Sequence, residues 1–335
     1  MNILRNAASW TSLYLVAGLF FLTANAFALF TVINADNFKE TLKEEGTYDK
    51  IVPAVLSTSS YASDVTEGQQ LPLNEPWVKE AAMKAFPASD LEQKSNDVID
   101  ATFAWLDGET EKPEYMLDFT SNKQNLALEI GSSTEAHLAS LPRCAPGNIP
   151  PTIDAFRIDC LPFGVSAKSV ADRASSQINN DQGFLKDPVI SSENLSEASE
   201  GNVADNPFEQ LEGIRSFYEN RGLLLWLLPV LAVVFTALGL LLAQDRLKAL
   251  KRLGRAFIAS GMGLAVFAIL ISFGFEKAVK TAAGEAITRD IAGPVLVSLG
   301  YQFRTVYLIF AGVAVVIAIV LLVVRRKLLK PGALV

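Results

Sequence analysis

The chain has 335 residues, half of them hydrophobic, with 29 basic and 36 acidic side chains and a net charge of −7. The apolar half is gathered into four charge-free blocks, each about long enough to cross a hydrocarbon core of ~30 Å at ~1.5 Å per residue. That distribution excludes an ordinary soluble enzyme, a disordered chain and a nucleic-acid binder with a basic face.

After residues 1–9, the run WTSLYLVAGLFFLTANAFALFTVI, about Trp10 to Ile33, holds no charge and predicts a first transmembrane helix. A cleavable signal peptide is the other reading, because a short basic lead, an apolar core and Thr23-Ala24-Asn25-Ala26 fit that pattern. The apolar sequence that continues to Ile33 favours a retained anchor. Either way the next segment, residues 34–221, is expected to be exported.

These 188 residues carry 15 basic and 32 acidic side chains, a net of −17. They are enough for a separate core. An acidic surface of this kind repels nucleic acid and anionic headgroups; it suits cations or a basic partner, or serves simply as a solvated, soluble surface. The patterning is mostly helical. Asp36 to Glu45 reads as an amphipathic continuation out of the membrane that ends at Gly46. Asn74-Glu75-Pro76-Trp77 opens a helix, with Asn74 as N-cap, that stops at Pro87. Ser89-Asp90-Leu91-Glu92 reads as a capping box for a helix that ends at Asp107-Gly108. Tyr115 to Thr120 alternates, as a short strand or an extended lead-in. Helices are expected over about 123–141 and 167–179, a loop over 181–206, and a last helix over 207–220.

Three more spans follow, at 223–243, 256–275 and 305–324. The connector 244–255 carries Arg246, Lys248, Lys251, Arg252 and Arg255 against Asp245. The tail 325–335 carries Arg325, Arg326, Lys327 and Lys330. With Arg5, that places ten basic residues and one acidic residue on one side. Cationic loops stay in the cytoplasm. The expectation is an all-α, multi-pass plasma (inner) membrane protein with four transmembrane helices, a mostly α-helical extracytoplasmic domain and both termini cytoplasmic. The second outer segment, 276–304, is patterned at Val279, Ala282, Ala283, Ala286 and Ile287 as an amphipathic helix.

Chemistry-bearing residues are few. Cys144 and Cys160 bracket a proline-rich stretch in the exported domain, which favours a disulfide. Two free thiols, or a metal site with His137, remain as alternatives, although zinc usually takes four ligands. His137 is the single histidine. The acidic loop DGETEKPE, from Asp107 to Glu114, lacks the order of a calcium loop and reads as a solvated turn. There is no phosphate-binding glycine loop or dinucleotide fingerprint, so no cofactor is expected, and no catalytic constellation can be assembled. Within the spans, Asn25 is expected to bridge helices, and Ala256/Ser260 and Ala259/Gly263 to allow close packing.

The span order, together with Leu117-Asp118-Phe119-Thr120, Leu141-Pro142-Arg143-Cys144 and Cys160-Leu161-Pro162, resembles an uncharacterised group of bacterial four-span membrane proteins. No activity comes with that resemblance. The topology is also similar to permease subunits of the cell-division and lipoprotein-release ABC systems. That likeness implies that Asp245 to Arg255 contacts a cytoplasmic ATPase, which this chain does not itself contain. Two functional expectations follow. One is a non-enzymatic envelope protein whose acidic exported domain binds a protein partner or self-assembles. The other is a mechanotransmission permease subunit.

Overall fold

The computed structural model describes residues 2–58, 75–145, 158–180, 185, 187–193, 212–282 and 288–329. Eleven α-helices and one two-stranded sheet appear among them: α1 Asn2–Val32, α2 Ala35–Glu44, α3 Thr47–Thr58, α4 Pro76–Ala85, α5 Ala88–Leu106, β1 Met116–Asp118, α6 Thr120–Ser140, α7 Ala167–Asn180, β2 Val189–Ser191, α8 Glu212–Glu219, α9 Arg221–Leu242, α10 Arg246–Ala282 and α11 Gly293–Leu329. The chain is an all-α membrane protein. Four of the helices, α1, α9, α10 and α11, are long and apolar enough to span a bilayer. The polypeptide divides into two compact units: residues 1–41, 213–281 and 294–335, and residues 42–212 with 282–293.

The first unit is the helix bundle. α1 packs along α9. Gly239 makes that approach possible, because a Cβ there would meet Leu13 Cδ2 at 2.8 Å. Ser9 Oγ donates to the Gly239 carbonyl at 2.8 Å across the same contact. Leu13, Val16, Ala249, Leu253, Phe257, Ala314 and Ala318 form a buried core shared by α1, α10 and α11. Ser260 does bridge helices, donating to the Ala17 carbonyl at 3.1 Å. The close seam between α10 and α11, however, runs through Gly254 and Gly261 rather than through Ala259 and Gly263. A Cβ on Gly261 would lie 3.1 Å from the Ala311 carbonyl oxygen, whereas one on Gly263 would meet nothing within 4 Å. Asn25 bridges as expected: its Oδ1 accepts from the Tyr307 hydroxyl at 3.0 Å. Its amide also donates to the Phe21 carbonyl at 2.7 Å.

Three boundaries differ from the sequence expectation. α10 and α11 have 37 residues each, about 55 Å at the helical rise, so both outrun the apolar blocks. The basic connector is therefore only Ala243 to Asp245, and Arg246 to Arg255 form the opening turns of α10. Over 276–304 the described residues form no separate amphipathic helix; of the patterned positions, Val279 and Ala282 belong to α10, and Ala283, Ala286 and Ile287 lie outside the described residues. Residues 276–282 continue α10, 288–292 form a π-helical turn, and 293–304 open α11. Helical hydrogen bonding persists where the sequence turns polar, because each added residue contributes one more bond to an existing helix. Finally, α2 does not run straight out of α1. Ile33 and Asn34 break the path, and Asn220 likewise separates α8 from α9.

The second unit holds the large domain. Val78, Ala81, Ala82 and Ala85 of α4 pack on Leu126, Ala127 and Ile130 of α6 and Ile178 of α7. Gly131 lets α7 approach, since a Cβ there would stand 3.1 Å from Ser175 Cβ. A second cluster joins Leu138, Ile158, Leu161, Val170 and Ala174. Ile130 is fully buried, so Ile130→Ala should cost about 2–5 kcal/mol through lost transfer energy and the cavity left behind. Limited proteolysis of the full chain against urea is the measurement.

α4 starts at Pro76 with Glu75 at its N-cap; Asn74 lies outside the described residues. The capping box at Ser89 is not used. α5 starts two residues earlier, with extended Pro87 at the N-cap, and the Pro87 carbonyl accepts from the amides of Asp90 and Leu91. Asp90, displaced into the first turn, instead takes the Asn122 amide at 2.9 Å. α5 does end at Asp107, and Gly108 follows at φ +79°. That left-handed conformation suits glycine, which has no Cβ to clash. Two elements went unanticipated. α3 forms despite Pro53 in its interior. β2, within the expected loop, pairs antiparallel with β1, Leu117 opposite Ile190.

Candidate functional site

Of the residues singled out in sequence, Cys144 and Cys160 are brought together in the domain and the basic set is brought together in the bundle. Cys144 and Cys160 are disulfide-bonded, their Cα atoms 4.9 Å apart. Backbone pairing flanks the bond: the Cys144 amide donates to the Leu161 carbonyl and the Leu161 amide to the Pro142 carbonyl. Arg143 clamps the far segment, its Nη1 donating to the carbonyls of Pro162 at 3.2 Å and Val165 at 3.1 Å. Between those carbonyls, Gly164 sits at φ +83°. The turn so braced displays Phe163, which is 67% exposed. Phe163 directly follows the Cys160-Leu161-Pro162 motif.

In the bundle, Arg246, Lys248, Lys251, Arg252 and Arg255 line the first turns of α10. Asp245 caps that helix, its Oδ1 accepting from the amides of Leu247 at 3.0 Å and Lys248 at 3.1 Å. The Lys248 amide, first among these partners, holds the Asp245 carboxyl below its ordinary range. The cap is thus charged at neutral pH and is lost only as pH falls through that lowered value. Arg252 lies over the Trp10 ring at 5.7 Å, and Trp10 stands 4.8 Å from Tyr14. Because α10 starts and α11 finishes at this end, Arg325, Arg326 and Lys327 join the set.

At the other end of the bundle, a polar latch closes the break between α1 and α2. Asn37 donates to the Val32 carbonyl and to Gln302 Oε1. Gln302 donates onward to Thr41 Oγ1 at 3.0 Å. The Tyr218 hydroxyl of α8 donates to the Ile33 carbonyl at 2.8 Å. The chain therefore leaves and re-enters the bundle through tied corners. The visible signal for the latch was Gln302 itself, an amide three residues before an apolar block.

His137 stacks on Trp77, ring centroids 5.9 Å apart, and no metal-holding group of three or more ligands occurs among the described residues. In the acidic loop, Lys112 pairs with Glu193 at 2.8 Å, tying the segment between α5 and β1 to the residues just after β2. No protein-family model, curated protein or solved structure matches the chain.

Proposed function

We propose that this membrane protein lies in the plasma membrane with both termini cytoplasmic, and that its acidic, exported domain works by binding a protein partner or assembling rather than by catalysis. The observation that carries the reading is the braced Phe163 turn. An exposed aromatic held by a disulfide, a two-carbonyl arginine clamp and a left-handed glycine loses little freedom when it enters a pocket. The complementary partner has an apolar cleft with a basic rim, given the domain's net −17. Disulfides persist in oxidising compartments, which supports export. The permease alternative finds less support, because the connector between α9 and α10 is too short to form a coupling element of its own.

A mild-detergent pull-down from intact membranes tests the reading. Phe163→Ala should release the partner, or the second copy, while leaving the elution profile of the chain unchanged. Co-purification of an ATPase that depends on Lys248, Lys251 and Arg252 would favour the permease reading instead. Orientation has its own test. A cysteine introduced at Glu200 should label from outside intact cells and one at Leu250 should not.

A further inference from the structure

Among the described residues, the basic end of the bundle carries more cations than carboxylates. Among the described residues, Asp245 is the one carboxylate at that end, and it is occupied by its own helix amides and by Lys248 Nζ at 3.3 Å. Arg246, Lys251, Arg252, Arg255, Arg325, Arg326 and Lys327 make no ion pair among the described residues. Arg325 is the sharper case: its Nε is shut off from solvent and has no hydrogen-bond acceptor among the described residues. A buried guanidinium N–H without an acceptor calls for one.

The placement of these groups says what would supply it. Arg325 lies one turn beyond Leu321 and Leu322, on the face of α11 that packs against Gly254 of α10. Lys251 precedes Gly254 by one turn on α10, so both cations stand where the α10–α11 seam opens. Arg252 is next to Lys251 and lies over Trp10, which is 47% exposed beside the 55% exposed Tyr14. An indole and a phenol flanking guanidinium groups at the end of apolar spans are the furniture of a headgroup layer.

We propose that the open end of the α10–α11 seam, with Lys251, Arg252 and Arg325, binds the phosphate of an anionic phospholipid. Phosphate oxygens accept from guanidinium and ammonium donors in charge-assisted bonds. The apolar flanks of the spans meet the acyl chains where those cations meet the phosphate. The proposal rests on the four-span reading but on neither the orientation nor the partner-binding role.

Native mass spectrometry of the purified full chain tests it, with phosphatidylglycerol or cardiolipin as probe and phosphatidylcholine as the neutral comparison. The wild type should retain the anionic lipids preferentially, and retention should fall as salt is raised toward 1 M. The triple variant Lys251→Gln, Arg252→Gln, Arg325→Gln should lose about fivefold in apparent affinity per cation removed. The charge-keeping triple Lys251→Arg, Arg252→Lys, Arg325→Lys should keep most of the preference. Lys277→Gln, Lys280→Gln and Arg304→Gln, at the opposite end, should leave it unchanged. Equal retention of anionic and neutral lipid by the wild type, or a preference insensitive to salt, would overturn the proposal. So would a protein that occupies this surface in the lipid's place. Carbonate extraction is the separate control: release of the chain would sink the four-span reading, and this proposal with it.

Discussion

Replacing Cys144 and Cys160 with serine should lower the stability of the large domain by about 3 kcal/mol, the chain-entropy value for freeing a ring of this length. The two cysteines are 16 residues apart, and Cys144 is buried at 2% exposure. The loss should fall on the second core cluster, because Leu161 belongs to it and is positioned by the backbone pairing beside the bond. Arg143 can reach the carbonyls of Pro162 and Val165 only while the two bridged segments stay together. Hydrogen exchange on the full chain should therefore show faster opening at Leu161 and Val165, with the α4–α6 contact around Ile130 less affected. Uniform protection in the serine variant would show that the pairing stands without the covalent link.

Gly261→Leu should separate α10 from α11, and Gly263→Leu should do nothing comparable. A first carbon at 261 already meets the Ala311 carbonyl oxygen at 3.1 Å and Ala314 Cβ at 3.2 Å. The carbonyl belongs to a helix backbone and cannot swing aside as a side-chain tip would. Overpacking of this kind costs about 1–3 kcal/mol, and the further carbons of leucine have no space to enter. At 263 the same side chain points into open space toward lipid. The measurement is the midpoint of thermal aggregation in detergent for both variants. Equal midpoints would mean that the seam is not held at Gly261.

These two positions also mark how far the sequence could be read. A row of small residues announces that a helix will be approached closely, but small residues occur on several faces of α10. Only the partner decides which face is used, and Ala311 lies 50 residues away in sequence. The four spans and the helical class were legible because each rests on a local property, a run of apolar residues or a 3.6-residue period. The same holds for Gly108 at the end of α5. β2 was not legible, because three residues carry no period and its pairing with β1 spans about 70 residues of chain. Ser89 misled for a related reason: its capping pattern is sound locally, but Pro87 already occupied the cap after ending α4. Within the candidate site, Cys144, Cys160 and the basic series of α10 could be named directly. Phe163 could not, and Arg325 could be named only as one of a basic tail, since what distinguishes them is a braced turn and a buried donor, both products of the tertiary fold.

The pairing of α1 with α9 has a consequence for how the protein is made. The two helices share a close contact at Leu13 and Gly239, yet the ribosome must lay down the whole large domain between them. At about 5–20 residues per second, α1 waits some tens of seconds in the bilayer before α9 exists. For that interval Ser9 lacks its acceptor on Gly239, and Asn25 must wait longer still for Tyr307. The first helix is thus a lodger with unmet polar groups, and a membrane chaperone or insertase that shelters those groups would act on this chain in that window. Insertion should become faster and less dependent on such help if α1 is given an earlier partner or if Asn25 is replaced by leucine.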